Sequence, residues 1–339
     1  MPNNKYKSRA YLQLFRTQWL SLVRDLKDAD IHFVFGCISY KQARDFSKKV
    51  LDDILANRKP GAKVYMTDCY GKLSSAHSEH ENVFYLDGNW EDKMSSILNL
   101  NMRRTFMTFY DDTIALVIGE GCQRKCGYCK TNLANFSLRS VPFSEIEFML
   151  KRGTKYKPNA SNIIIDSMNN SQYGRDLDEG KGIYDVINLA ASYEQVKGIY
   201  VPTIQPADVR QELISTVGPK SPVREIGLIM ETTDDWFLDK SKRGYKTKDV
   251  QDIIDAFYAR NKDLHIRTGI MVGIPGDNEQ TVRDNIHFID KNKLSFSVSV
   301  YSHDEKLPID EYRDLIPNRG TTMKLLSMYT NYQKQSKRF

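Results

Sequence analysis

Cysteine is scarce in this chain: there are five in 339 residues, and three of them fall within the stretch 122–129. A disulfide framework would spread its cysteines in pairs and would need an oxidising compartment, so none is expected here. Long apolar runs are also missing, and nothing approaches the roughly 20 residues that cross a bilayer. The opening Met1-Pro-Asn-Asn-Lys-Tyr-Lys has no apolar stretch of the kind a secretory signal needs. A cytoplasmic protein is the expectation. Charge of one sign does not dominate: a net +6 permits RNA or another anionic partner, and a solvated surface accounts for it equally well. No internal repeat or low-complexity tract is evident. What is present is 40% hydrophobic content with 11% aromatics, enough for a real core. The length suits two domains, or one large α/β barrel with an addition.

Two regions separate near residues 100–112. The first holds short β-like runs at Ile31-His-Phe-Val-Phe, Lys63-Val-Tyr-Met and Asn82-Val-Phe-Tyr-Leu. Between the first two, Ala43, Phe46, Val50 and Ile54 repeat at helical spacing, which predicts a small parallel α/β layer. From Thr113 onward, apolar strand candidates recur at 114–118, 162–166, 198–201, 225–230, 265–272 and 295–299. Each precedes a helical pattern; the clearest opens at Thr247, read as the N-cap, and runs through Val250, Ile253, Ile254 and Phe257. Such β-α alternation predicts a parallel sheet curled into a full or partial barrel, with chemistry at the C-terminal ends of its strands.

Gly121-Cys122-Gln-Arg-Lys-Cys126-Gly-Tyr128-Cys129-Lys130 directly follows the first of those strands. A structural zinc site wants four ligands, and the remaining cysteines lie far off at 37 and 69. An iron–sulfur cubane can be held by three thiolates, leaving one iron open. The spacing C-x3-C-x2-C, with Tyr128 before the last cysteine, resembles the radical S-adenosylmethionine (SAM) superfamily. That resemblance implies a [4Fe–4S] cluster on Cys122, Cys126 and Cys129, whose open iron chelates SAM. It also implies reductive cleavage of SAM to a 5′-deoxyadenosyl radical that takes hydrogen from a substrate. Gly269-Ile-Met-Val-Gly273-Ile274-Pro275-Gly276-Asp277 ends the fifth strand and is similar to the stretch beside the SAM adenine in that superfamily.

Within the superfamily the chain resembles the methylthiotransferases, which insert sulfur into a C–H bond and cap it with methyl. Glu120-Gly121-Cys122 with Arg139-Ser140-Val-Pro142, and the segment Ile165-Asp166-Ser-Met-Asn169-Asn-Ser-Gln-Tyr173-Gly174-Arg-Asp176, carry the likeness. So do Glu231-Thr232-Thr-Asp-Asp235 with Leu238 and Arg243-Gly244-Tyr245, Tyr301-Ser302 with Pro308, and Ala29-Asp30 leading to Cys37, Ala43, Pro60-Gly-Ala-Lys-Val and Cys69. The resemblance implies cofactor contacts at Tyr128, Asp166, Asn169, Glu231, Thr232, Arg243, Gly273, Ile274, Pro275 and Gly276. Arg243 is a candidate partner for the SAM carboxylate, with an ion pair elsewhere as its other reading.

Three departures stand against the family pattern. Its second [4Fe–4S] cluster uses three N-terminal cysteines, whereas only Cys37 and Cys69 are present; Asp68, His77, His80 or a partner's side chain could complete such a site, or both cysteines are buried small hydrophobes. The family's small C-terminal β-barrel (TRAM-type) module, which grips RNA or protein, is not expected in a chain that closes with its barrel helix. Lys130-Thr-Asn-Leu-Ala-Asn lacks the usual Pro and Arg-Gly, and Glu231-Thr-Thr-Asp stands where the family has Gln-Ser-Gly-Ser. Lys5, Lys7, Arg9 and Arg16 form a basic N-terminal segment, either RNA-facing or merely solvated.

The expected architecture is α/β, a partial (β/α)6 radical SAM barrel over 109–339 preceded by a small truncated parallel α/β domain over 1–108. The expected partners are a tRNA or a protein or peptide substrate and a reductant such as flavodoxin or ferredoxin. The expected activity is methylthiotransferase-like. A radical SAM enzyme of different outcome and a non-catalytic iron–sulfur protein are the alternatives.

Overall fold

The computed structural model describes residues 23–37, 41–67, 70, 80–86, 90–98, 107–133 and 137–336. Cys69, Asp68, His77 and the basic residues at 5–16 lie outside them. Contacts divide the chain into two compact units, Met1–Thr108 with Cys129–Phe136, and Phe109–Tyr128 with Ser137–Phe339.

The first unit carries a three-stranded parallel sheet in the order β1 (Ile31–Gly36), β2 (Lys63–Thr67), β3 (Val83–Tyr85). Val34, Val64, Met66 and Val83 form one face with Leu51 and Ile54 of helix α1 (Lys41–Asn57). On the other face Tyr65 packs with Leu86 and with Met94 of α2 (Trp90–Leu98). The inward face of α1 includes Ile54 and Val50 as their spacing suggested, but not Phe46. Phe46 is 67% exposed, and Ser47 is buried in its neighbourhood instead. The reason is polar: the Ser47 hydroxyl accepts from the Cys37 amide at 3.0 Å and donates to the Ala43 carbonyl at 2.9 Å, which draws that face inward.

The larger sheet contains β4 (Met107–Phe109), β5 (Thr113–Val117), β8 (Asn162–Asp166), β9 (Gly198–Ile204), β10 (Val223–Leu228), β11 (His265–Val272) and β12 (Ser295–Val300). Its order is β12-β11-β10-β9-β8-β5-β4, and from β5 to β12 all neighbours run parallel. Ile114, Ala115, Leu116 and Val117 are all buried, as expected of a strand covered on both faces. A short antiparallel pair, β6 (Gly119–Glu120) with β7 (Arg139–Ser140), brackets the cysteine loop.

The crossovers after β5, β8, β9, β10, β11 and β12 contain α3 (Phe143–Tyr156), α4 (Ile183–Ala191), α5 (Gln211–Ser215), α6 (Asp235–Lys240) with α7 (Thr247–Arg260), α8 (Glu279–Lys291) and α9 (Arg319–Ser336). Each long helix turns one apolar stripe inward, for example Ile146, Met149 and Leu150 of α3 and Val250, Ile254 and Phe257 of α7. This is the expected partial (β/α)6 architecture.

Three local expectations need correction. Lys246, not Thr247, is the N-cap of α7: its amide donates to the Asp249 carboxylate at 2.8 Å, while the Thr247 hydroxyl bonds the Thr233 carbonyl at 2.9 Å. The third strand of the barrel extends to Ile204 instead of stopping at 201. The fourth leaves the ladder after Leu228, at a register shift where Gly227 is required because a Cβ would overlap the Pro202 carbonyl.

Candidate active site

The cysteine loop starts where β5 runs out. Gly121 has φ +75°, and a side chain there would overlap the Ser137 carbonyl, so glycine alone lets the chain turn toward Cys122. Further on, the Gly127 amide donates to the Ser241 carbonyl at 2.8 Å, and its own carbonyl accepts from Ile309 at 3.2 Å. The loop is thus pinned to segments that follow β10 and β12. Cys129 starts a turn closed by the Asn132 amide, with its sulfur 2.8 Å from the Thr131 hydroxyl.

N–H groups converge on Cys122 and Cys126. The Arg124 amide donates to the Cys122 sulfur at 3.4 Å, and Asn169 Nδ2 lies 3.8 Å from it. Gln172 Oε1 accepts from the Gln123 amide at 2.9 Å and from the Cys122 thiol at 3.4 Å. Burial pushes the Cys122 thiol up from its ordinary value, and the Arg124 N–H opposes this. Buried Cys126 receives Arg243 Nη1 at 3.5 Å.

Arg243 is 1% exposed, so its guanidinium acts inside the protein instead of offering an open fork. Nε donates to the Tyr245 hydroxyl at 3.0 Å and Nη2 to the Ile229 carbonyl at 2.9 Å, with the rings of Tyr245 and Tyr128 5.2 and 5.8 Å from its carbon. Tyr128 donates its hydroxyl to Glu231 Oε1 at 2.8 Å, and that carboxylate lies 3.9 Å from Arg243. Glu231 takes the left-handed region at φ +69°, an uncommon place for a non-glycine residue, held by backbone bonds to Gly269 and Met271. Thr232 is buried and accepts from the Asp234 amide at 3.1 Å.

Asp166 ends β8 with Oδ2 buried and without a hydrogen-bond partner, and burial raises its pKa to about 7. At the end of β11, Gly273 and Gly276 both adopt φ +83°, with Ile274 buried between them. The Gly273 amide donates to Asp277 Oδ2 at 2.7 Å, and the Gly276 amide to the Leu315 carbonyl at 2.9 Å.

Hydrogen bonds and close contacts therefore join Cys122, Cys126, Tyr128, Asn169, Glu231 and Arg243 into one network, whereas among the described residues no side-chain hydrogen bond leads into it from Asp166, Thr232 or Gly273-Ile274-Pro275-Gly276. Cys37 belongs to the first unit, just beyond β1. Sequence reading missed Arg124, Gln172, Asp208 and Asn285, all buried or half-buried polar residues that a site must keep satisfied.

The donor chemistry fits a thiolate-bound anionic cluster, because N–H dipoles and a buried guanidinium aimed at sulfur favour negative charge there. Among the described residues no three His, Cys, Asp or Glu side chains gather as they would around a single metal ion. Three sulfurs spaced around a cubane need no such convergence.

Residues 116–289 match the radical SAM superfamily, and the chain belongs to that superfamily. Membership implies a [4Fe–4S] cluster and SAM. Within it the chain is similar to methylthiotransferases. One is the ribosomal protein uS12 methylthiotransferase RimO of Sulfurihydrogenibium sp. (strain YO3AOP1), 22% identical over 339 residues, spanning 96% of this chain and 77% of that protein. Another is the tRNA-2-methylthio-N(6)-dimethylallyladenosine synthase of Fervidobacterium nodosum, 24% identical over 356 residues, spanning 98% and 80%.

Among solved structures, the radical SAM methyltransferase TsrM from Kitasatospora setae superposes with a TM-score of 0.55 at 10% identity, over 82% of this chain and 62% of that one. The cobalamin-dependent radical enzyme OxsB gives 0.53 at 9% identity, over 93% and 49%. The chain thus spans under two thirds of these structures' length, and they establish the fold. No helix among the described residues is long and apolar enough to cross a membrane.

Proposed function

We propose that this is a methylthiotransferase-like transferase of the cytoplasm. The region 1–108 would serve as a methylthiotransferase-like N-terminal domain, and 109–339 as the catalytic barrel. Cys122, Cys126 and Cys129 would hold the cluster, with Tyr128, Asp166, Asn169, Glu231, Thr232, Arg243 and Gly273-Ile274-Pro275-Gly276 serving the cofactor side. When bound, the cluster and SAM supply a 5′-deoxyadenosyl radical able to take hydrogen from an unactivated C–H bond.

The protein's own residues do the rest. Arg243 and the Arg124 amide offset negative charge at the Cys126 and Cys122 sulfurs, while Tyr128 and Glu231 fix the wall beside them. Positive φ at Gly273 and Gly276 shapes the turn after β11, and a side chain at Gly273 would overlap Thr322. The observation that carries this reading is the convergence of N–H donors on two cysteines of a C-x3-C-x2-C loop at the C-terminal end of a parallel sheet. The names of its relatives support a tRNA base or a residue of a protein or peptide as substrate. A flavodoxin or ferredoxin would supply the electron.

A second reading, a radical SAM enzyme with a different outcome, is favoured by Glu231: it stands where the resembled family has a glutamine, and its carboxylate is tied to Tyr128. The test is anaerobic reconstitution followed by reduction with SAM, with methylthiolated product and 5′-deoxyadenosine both measured. Formation of 5′-deoxyadenosine that is lost in a Cys122/Cys126/Cys129→Ala variant supports the ligand set. Its absence from the reconstituted wild type would remove catalysis altogether.

A further inference from the structure

Asp208 lies in the short turn after β9 and is 6% exposed. Its carboxylate accepts four side-chain donors. Arg124 Nη1 and Arg175 Nη1 reach Oδ1 at 3.2 and 3.0 Å, and Asn169 Nδ2 and Gln172 Nε2 reach Oδ2 at 3.1 and 3.2 Å. An ionised carboxylate has about four acceptor sites, so this one is saturated. The donors come from two loops, Arg124 from the one following β5 and Asn169, Gln172 and Arg175 from the one following β8, and they meet Asp208 of the loop following β9 at the C-terminal end of the sheet.

The saturation has a directional consequence. A carboxylate only accepts, so the NH2 ends of both amides must face Asp208. Gln172 is thereby forced to point Oε1 the other way, where it holds the Gln123 amide, the backbone group next to Cys122; this bond persists when the Cys122 thiol gives up its proton to become a ligand. Asn169 Nδ2 is held in the gap between Asp208 and the Cys122 sulfur. Arg124, restrained by the same carboxylate, gives its other nitrogen to the Arg243 carbonyl at 2.6 Å, and Arg243 in turn meets Cys126. One buried anion is thus a single intermediary away from Cys122 and two away from Cys126.

We propose that Asp208 is the positioning residue for the cluster loop, acting on Cys122 through Gln172 and Asn169. The proposal rests on Cys122 being a cluster ligand. Outer partners of metal ligands are typically worth 10- to 100-fold in metal affinity.

The test is chelator competition on the anaerobically reconstituted full chain, read as the chelator concentration that removes half the iron. The electron paramagnetic resonance spectrum of the reduced cluster is recorded beside it. Asp208→Asn and Gln172→Leu are each expected to lower that concentration about 10- to 100-fold and to alter the spectrum. Arg175→Gln removes an equal partner of Asp208 while leaving both amides held, and should stay within about twofold of wild type. Gln172→Leu keeps both arginine ion pairs of Asp208, so it carries the test if Asp208→Asn does not fold.

A folded Asp208→Asn or Gln172→Leu protein that holds iron as tightly as wild type, with an unchanged spectrum, overturns the proposal. An Arg175→Gln loss as large as theirs does the same, since it would mean general destabilisation. A wild-type chain that binds no iron at Cys122, Cys126 and Cys129 would instead sink the ligand assignment beneath it.

Discussion

Arg243 sets a guanidinium nitrogen 3.5 Å from the Cys126 sulfur while its other donors are taken by Tyr245 and Ile229. Lysine keeps the charge but gathers its three donors on one nitrogen and cannot span three such separated partners. Arg243→Lys should therefore leave buried acceptors at Tyr245 or Ile229 without their donor, at about 1–3 kcal/mol each. Urea unfolding should show a loss of about 2–4 kcal/mol on that basis. An undiminished midpoint would mean that water or a neighbouring side chain replaces the fork.

Asp166 and Asp277 carry carboxylates that burial raises to about 7 and about 6, against an ordinary value near 3.8. The folded chain therefore retains protons that the unfolded chain has already released, and stability falls as pH rises through that window. Asp166→Asn removes one of these groups without changing its size. Between about pH 4 and about pH 7, from the unfolded to the folded pKa of Asp166, the variant should lose less stability than wild type, with a difference of a few kcal/mol at the upper end. Parallel pH profiles from chemical denaturation would show that Asp166 is not the group responsible.

The sheet was readable because parallel strands covered on both faces become continuous apolar runs, as in Ile114-Ala-Leu-Val and Asn162-Ile-Ile-Ile, while His265 to Val272 alternates before its apolar end. The cysteine loop was readable because its spacing is chemistry, independent of packing. What escaped was polar and non-local. Asp208 sits 84 residues from Arg124 and 36 from Gln172, and nothing in Gln205-Pro-Ala-Asp208 announces that loops after three different strands will meet there. Phe46 of α1 departs from its expected face for a related reason, since the neighbouring Ser47 hydroxyl, bonded to the Cys37 backbone, is buried there while Val50 and Ile54 keep to the core.

Asn285 shows the same kind of long-range joint and gives a stability prediction. Its Oδ1 accepts from the Thr233 amide at 2.6 Å and hydroxyl at 2.9 Å, and its Nδ2 donates to the Tyr329 hydroxyl at 2.7 Å. It therefore ties α8 to α9 and to the segment after β10 that carries Glu231. Asn285→Ala should cost about 2–4 kcal/mol, since buried partners are left unpaired. Thermal unfolding checks this, and a loss below about 0.5 kcal/mol, the level of an ordinary surface change, would count against the joint.

Gly121 offers a sharper contrast. Gly121 and Gly180 both have positive φ, at +75° and +61°, but an added Cβ meets the Ser137 carbonyl at the first and open space at the second. Gly180→Ala should cost only the left-handed penalty of about 1–2 kcal/mol. Gly121→Ala adds a backbone overlap that only a shift of the cysteine loop can relieve, so it should cost more and also loosen iron binding. Equal effects of the two substitutions on iron retention would show that the turn at Gly121 does not govern the placement of Cys122.

Cys37 bears on whether a second cluster exists. It lies just past the C-terminal end of β1, where open parallel sheets commonly bind ligands, and its backbone is fixed by Ser47. With Cys69 and one further ligand it would hold a second [4Fe–4S] cluster, the feature that separates sulfur insertion from other radical chemistry in the family this chain resembles. The reconstituted wild type should then carry about eight irons, and both Cys37→Ala and the Cys122/Cys126/Cys129→Ala variant about four. Cys37→Ala should still cleave SAM while losing methylthiolated product. A wild type with about four irons, unchanged by Cys37→Ala, would leave one cluster in the chain and move the assignment to a radical reaction without sulfur insertion.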